Sequence, residues 1–107
     1  QEGYDNMFGK LVGKGLVGKK RITDHWKANS IIDLVRAQPL DELKKVRFYF
    51  DCGDDDFLAI ANAQLHIEMR RKNLPHEYRV RDGAHTWSFW RTSLPIGLKF
   101  IGESFRR

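Results

Sequence analysis

Two segments of this 107-residue sequence carry side chains suited to acid–base chemistry. The acidic run Asp54-Asp55-Asp56 follows one apolar stretch, and His85 follows two small residues after a second, more polar stretch. Small residues let the backbone turn tightly and leave an imidazole accessible. Asp56 precedes His85 by one strand–helix–strand unit, so a carboxylate–imidazole pair between them is geometrically reasonable. The other aspartates suit a turn and a helix N-terminus, where the helix dipole favours acids.

Strands that alternate with helices would position these groups. The β-branched and aromatic residues of 46–50 predict a buried strand, and the acidic residues 51–56 predict a loop at its carboxyl end. Residues 77–81 predict a second strand, and a turn at 82–84 then leads to His85. Between the strands, four apolar residues at helical spacing predict a helix that Asn73 and Pro75 end: Leu58, Ala61, Leu65 and Met69.

The two ends of the chain are predicted to be helical in part. An aromatic-rich helical stretch follows His85, and a separate amphipathic helix is expected after Pro95, with one apolar face: Leu94, Leu98, Ile101 and Phe105. Residues 1–45 predict loops and short helices, one around Met7–Val12 and one from Ile31 that Pro39 ends. Residues 41–45 are expected to be a polar lead-in to the first strand.

This order of elements predicts an α/β fold with parallel strands, because parallel neighbours need a crossover helix between them. Two parallel strands alone leave edges unpaired and faces half covered. The chain also begins with Gln1 rather than methionine. We therefore expect residues 1–107 to be the C-terminal portion of one larger α/β domain, in which 46–107 hold the acidic loop, the histidine loop and the terminal helix.

Composition narrows the function classes. With 41% hydrophobic and 31% charged residues, the chain can bury a modest core and is not a disordered one. The net charge of +5 comes from basic residues spread along the chain, which we interpret as a solvated surface rather than a nucleic-acid interface. No apolar run is long enough for a membrane span, and the single Cys52 forbids an internal disulfide.

Two motif matches fail on their context, so we expect no cofactor and no metal. Gly13–Gly18 satisfies GxGxxG, but no strong strand precedes it and no packing helix follows. An EF-hand counted from Asp51 fails because Gly53 and Asn62 stand where acidic ligands are required.

The segments around both candidate residues resemble the C-terminal third of a family of α/β-hydrolases. The resemblance lies in these parts of the sequence: Phe48 to Leu58, Asn62, Leu65-His66, Pro75 to Tyr78, and Gly83 to Trp90. That family includes esterase D (S-formylglutathione hydrolase), feruloyl and acetyl-xylan esterases, and the mycolyltransferase antigens.

The resemblance implies a Ser–Asp–His triad that hydrolyses carboxylic esters. It aligns Asp56 as the triad acid, with Asp55 as the fallback because a run of aspartates blurs the register, and His85 as the general base. Trp87, Phe89 and Trp90 either pack behind the histidine loop or form an aromatic wall for an aryl acyl group.

The nucleophile is expected to lie outside this chain. The chain has four serines, Ser30, Ser88, Ser93 and Ser104. None of them stands in the G-x-S-x-G motif that carries the nucleophile in α/β-hydrolases. The expected partners are therefore the missing N-terminal part of the same domain and a small-molecule or polysaccharide-linked ester, with self-association of the isolated chain through its open sheet edge. Two alternatives stay open, an S-formylglutathione-hydrolase-like thioesterase and a non-catalytic basic binding module. A polysaccharide esterase would be secreted or periplasmic, and otherwise the protein would be cytoplasmic.

Overall fold

The computed structural model describes residues 2–106, which divide into two compact units between Gln38 and Pro39. The first unit holds a 3₁₀ turn, Gly18–Arg21, and three helices: α1 Glu2–Val12, α2 Asp24–Asn29 and α3 Ile31–Ala37. The second unit holds three helices and two strands: α4 Leu40–Leu43, β1 Tyr49–Gly53, α5 Ala59–Arg71, β2 Glu77–Arg81 and α6 Trp87–Ser104.

The first unit is more helical than the sequence predicts. The predicted helix at Met7–Val12 extends back to Glu2, and acidic residues in its first turn complement the helix dipole. The α2 helix was not predicted; it begins where the Thr23 hydroxyl accepts the N–H of Trp26 at 3.1 Å. The α3 helix lies where predicted.

The second unit contains the predicted parallel strand pair. Residues Tyr49 to Gly53 pair in register with Glu77 to Arg81, and α5 forms the crossover between them. The bounds of β2 are those predicted, whereas β1 begins three residues after the predicted start at Val46, and residues 51–53 belong to the strand rather than to a loop. Pairing with β2 decides these bounds, and Val46 is left 56% exposed in spite of its high β-propensity.

A small core lies around the crossover helix. In the second unit the buried apolar residues are Cys52, Met69, Leu74 and Phe89. The α5 helix ends as predicted near Asn73, which adopts a left-handed backbone with φ 59°, while the N–H of Leu74 bonds to the Met69 carbonyl at 2.9 Å. Of the predicted apolar face of α5, Met69 is buried, whereas Leu58 is 41% exposed.

The end of the chain differs from its prediction. The predicted break at Pro95 is wrong, because α6 continues through this residue from Trp87 to Ser104. Phe89 and Ser93 are its buried residues, whereas the predicted apolar face is exposed: Leu94 by 61%, Leu98 by 56%, Ile101 by 51% and Phe105 by 84%. Among the described residues, no helix is both long and apolar enough to cross a membrane.

Candidate active site

Two loops meet at the carboxyl ends of the paired strands, the acidic loop 54–58 after β1 and the histidine loop 82–86 after β2. The N–H of Asp54 bonds to the Arg81 carbonyl and the N–H of Asp55 to the Gly83 carbonyl, both at 2.9 Å. A Cβ at Gly53 would overlap the Gly83 carbonyl oxygen and lie 2.5 Å from its carbonyl carbon. The close approach of the two loops therefore requires glycine at position 53.

The histidine loop is shaped by its neighbours along the chain. Gly83 has φ 138°, a conformation that L side chains rarely adopt, and a Cβ there would lie 2.7 Å from the ring of Phe89. Thr86 then caps α6 by accepting the N–H of Phe89 at 3.4 Å. These interactions fix both sides of His85.

The structure brings His85 and Asp56 together. His85 Nδ1 lies 2.9 Å from Asp56 Oδ2, and the other carboxylate oxygen, Oδ1, accepts the N–H of Leu58 at 2.8 Å. The Asp56 side chain is only 5% exposed, whereas 44% of the His85 side chain is exposed. The carboxylate is thus enclosed between a backbone donor and the imidazole, and the ring reaches the surface.

The electrostatics of this pair determine which ring nitrogen carries the proton. The N–H of Leu58 lowers the pKa of Asp56, burial opposes this effect, and the bond to His85 lowers the pKa further. An ionised carboxylate can only accept hydrogen bonds, so His85 Nδ1 is the donor. In the neutral ring the lone pair then resides on Nε2, where it can accept a proton.

The neighbouring aspartates make different contacts. The side chain of Asp55, the fallback acid, is exposed, and its main-chain N–H is what bonds to the histidine loop. Asp54 also reaches this loop, because its Oδ1 accepts the N–H of Gly83 at 3.1 Å. The carboxylate in contact with the imidazole is that of Asp56.

Aromatic rings surround His85. Trp90 meets the imidazole edge-on with 4.8 Å between ring centroids, and Trp87 meets Trp90 edge-on at 5.1 Å. Phe57 flanks the imidazole with 4.9 Å between ring centroids. This contact was not predicted, although Phe57 directly follows Asp56 in the sequence. Phe57 is 78% exposed and Trp87 71%, whereas Phe89 is buried beneath the histidine loop. An exposed aromatic rim therefore borders the imidazole.

The serines of the second unit form no hydrogen bond with His85 among the described residues. Within residues 2–106, none of the hydrogen bonds joins a serine hydroxyl to this imidazole: Ser88 contacts Thr86, Ser104 accepts from Arg47, and Ser93 is buried. Ser30 belongs to the first unit.

Two histidines, His66 and His76, form a pair beside the core. His76 Nδ1 donates to the Leu74 carbonyl at 2.8 Å, so its Nε2 accepts from His66 Nδ1 at 2.7 Å. Burial lowers the pKa of His66, and the neighbouring His76 and Arg70 add to this effect.

No family model matches the chain, and neither does any curated protein. The two-stranded parallel sheet with its crossover helix is consistent with part of an α/β fold, and among solved structures the chain is similar to a ferulic acid esterase. The identity is 36% and the TM-score 0.66, over 69% of this chain and 30% of that one. The chain thus resembles part of an esterase and spans less than a third of its length.

Proposed function

We propose that this chain is part of a serine carboxylic-ester hydrolase with an α/β-hydrolase fold, in which Asp56 is the triad acid and His85 the general base. The observation that carries the proposal is the 2.9 Å contact between His85 Nδ1 and Asp56 Oδ2 at the carboxyl ends of adjacent parallel strands. The likeness to an esterase over 69% of the chain supports it. Open α/β sheets carry their functional groups at this edge.

The chemistry follows from the tautomer of His85. Its Nε2 takes the proton of the serine hydroxyl while the serine oxygen attacks the ester carbonyl carbon. The same proton then passes to the leaving alcohol, and water releases the acyl group by the reverse sequence. Asp56 holds the ring in the reactive orientation and stabilises the imidazolium that forms in both steps.

In this proposal the nucleophile and the oxyanion hole come from the remainder of the domain, which is the partner of this chain. Two features support a partner. The sheet has two strands within the described residues, so each strand has an open edge there. Apolar side chains are also exposed around it, including Ile60 at 75% and Val80 at 52%.

The exposed aromatic rim favours an ester of an aromatic acid, such as a feruloyl group on a polysaccharide, over acetyl esters or S-formylglutathione. Phe57 flanks the imidazole, and Trp87 contacts Trp90, which meets the imidazole edge-on. Both Phe57 and Trp87 are exposed, so their rings are available to an acyl group held near His85. Aromatic pairs in offset or edge-on contact contribute about 0.5–1.5 kcal/mol beyond their buried area.

Replacing His85 by alanine in the complete enzyme tests the assignment. We expect kcat for methyl ferulate to fall by about 10⁴, as removal of a triad member generally does. The exposed histidine of α2 provides the matched control, since His25→Ala should leave kcat unchanged. A folded His85→Ala variant that keeps kcat within about tenfold, a barrier change of only ~1.4 kcal/mol, contradicts the role of general base.

The substrate class is tested at Phe57. Phe57→Ala should raise KM for methyl ferulate more than KM for p-nitrophenyl acetate, whose acyl group is small. Phe105→Ala, which removes an equally exposed phenyl ring from the end of α6, should change neither. Preferential hydrolysis of S-formylglutathione by the unaltered enzyme would favour the thioesterase instead, and no hydrolysis of any ester would favour a binding module.

A further inference from the structure

Besides the contact between Asp56 and His85, three hydrogen bonds among the described residues join the acidic loop to the end of β2 and to the histidine loop. Two of them are main-chain bonds, from Asp54 N–H to Arg81 and from Asp55 N–H to Gly83, and they form whatever the side chains are. The third depends on a side chain, because Asp54 Oδ1 accepts the N–H of Gly83 at 3.1 Å.

The donor of that bond, the N–H of Gly83, matters because of where it lies. Gly83 precedes His85 by two residues and has φ 138°. Glycine has no side chain to restrict its backbone, so contacts with neighbouring residues must hold it in one conformation. Phe89 packs below Gly83, and the Asp54 carboxylate holds its N–H from the side of the acidic loop. An N–H bonded to a charged oxygen is held about twice as strongly as one bonded to a neutral oxygen.

We propose that Asp54 is a positioning residue for His85: its carboxylate binds the N–H of Gly83 and thereby holds the histidine loop in register with Asp56. The inference rests on the proposed function, since it concerns the same site. Asp54 acts through the backbone of the loop and not on the imidazole itself.

The charge of Asp54 has to be separated from its role as a hydrogen-bond acceptor. The carboxylates of Asp54, Asp55 and Asp82 lie within 4.8 Å of one another and are all exposed. Loss of any one of them relieves similar like-charge repulsion. Asp82 is therefore the matched control, because Asp82→Asn removes a charge from the same cluster and leaves the Gly83 bond intact.

The first experiment compares variants of the complete enzyme by steady-state kinetics. Asp54→Ala should lower kcat by about tenfold or more with KM within about twofold, since loss of one charge-assisted bond corresponds to a change of that order. Asp54→Asn retains an oxygen acceptor and should stay within about threefold of wild type. Asp54→Glu keeps the charge but shifts the acceptor by one methylene, so its kcat should resemble that of Asp54→Ala. If Asp54→Ala does not fold, Asp54→Glu takes its place in the comparison. Asp82→Asn should match wild type.

The second experiment observes the loop directly by ¹⁵N NMR of the histidine side chains. The Nδ1–H of His85 should exchange with water faster in Asp54→Ala than in wild type or Asp82→Asn, because the loop no longer holds it against Asp56. This readout needs no turnover. If the unaltered enzyme hydrolyses no ester, the proposed function fails while the NMR comparison still decides the role of Asp54. Unchanged kcat and unchanged exchange in Asp54→Ala, or equal losses in Asp82→Asn, would overturn the inference.

Discussion

Replacing Gly53 by alanine should separate the two loops that carry the candidate site. The new Cβ would overlap the Gly83 carbonyl oxygen and lie 2.5 Å from its carbon, and Cβ contacts below 3.0 Å are essentially never observed. The obstructing atoms are backbone, so no flexible side chain can move aside. The strands' carboxyl ends must therefore move apart by about 1 Å to reach ordinary contact.

The size of the effect follows from the bonds that such a separation breaks. The main-chain bonds from the Asp54 N–H to Arg81 and from the Asp55 N–H to Gly83 measure 2.9 Å each. A further ~1 Å takes both beyond hydrogen-bonding distance. At about 1 kcal/mol each, their loss lowers the free energy of unfolding by about 2 kcal/mol. In an enzyme of 150–250 residues this corresponds to a fall in Tm of about 4–8 °C. The same shift moves His85 away from Asp56, and a misplacement of about 1 Å costs roughly 10² in rate.

Thermal unfolding of the complete enzyme and kcat/KM for methyl ferulate measure both consequences of Gly53→Ala. Gly97→Ala is the matched control, because its Cβ would lie 3.7 Å from the Tyr49 ring, an ordinary contact. In the interior of α6 that change should stabilise by about 0.5–1 kcal/mol and leave turnover unaltered. If Gly53→Ala instead keeps both its Tm and its kcat/KM close to wild type, the close approach of the loops is not what aligns the site.

Three further predictions follow from other contacts. Asp56→Asn should lower kcat by about 10⁴, because the amide can stabilise the wrong tautomer, whereas Asp55→Asn should keep much of it; the opposite order of effects would shift the register by one residue. Because the pKa of His66 is lowered in the folded state, the unfolded state binds more protons below about pH 6.5, so stability should fall as pH drops through that value. In His66→Asn, which keeps a donor toward His76, the free energy of unfolding measured by chemical denaturation should depend less steeply on pH. An unchanged pH dependence would show that His66 is not its source. Isolated residues 1–107 should sediment as poorly stable or self-associated species, and a cooperative monomer would contradict the proposal of a missing partner.

The parts of the fold that the sequence predicts are those set by local chemistry. The polar strand at Glu77–Arg81 is bounded by turn and stop signals, and Asn73 ends α5 in the left-handed conformation that this residue tolerates. The bounds of β1 depend instead on its partner: pairing begins at Tyr49 opposite Glu77, and no propensity of Val46 could indicate this. Pro95 is a similar case, since a proline removes one helix bond without preventing the turns on either side from forming.

In the candidate site, too, some features could be predicted from the sequence and others depend on contacts that form only in the folded chain. The juxtaposition of Asp56 and His85 could be predicted because adjacent parallel strands bring their following loops together. The position of Phe57 beside the imidazole and the bond from the Gly83 N–H to Asp54 could not be predicted, because both depend on backbone directions within a few residues of the strand ends. The run of three aspartates offers identical side chains, and only their contacts distinguish them.

The exposed face of α6 connects the fold with the proposed function. Leu94, Leu98 and Ile101 recur at helical spacing, the pattern of a helix that packs against a hydrophobic surface. All three are more than half exposed, although α6 begins in a defined cap at Thr86 and buries Phe89 under the histidine loop. Near its start α6 thus buries Phe89 within this chain, whereas along its later turns these three residues form an apolar stripe that the described residues leave more than half exposed. Such a stripe is what a larger α/β domain would bury, so the helix that begins at the candidate site also supports the proposal that the remainder of an esterase domain packs against it.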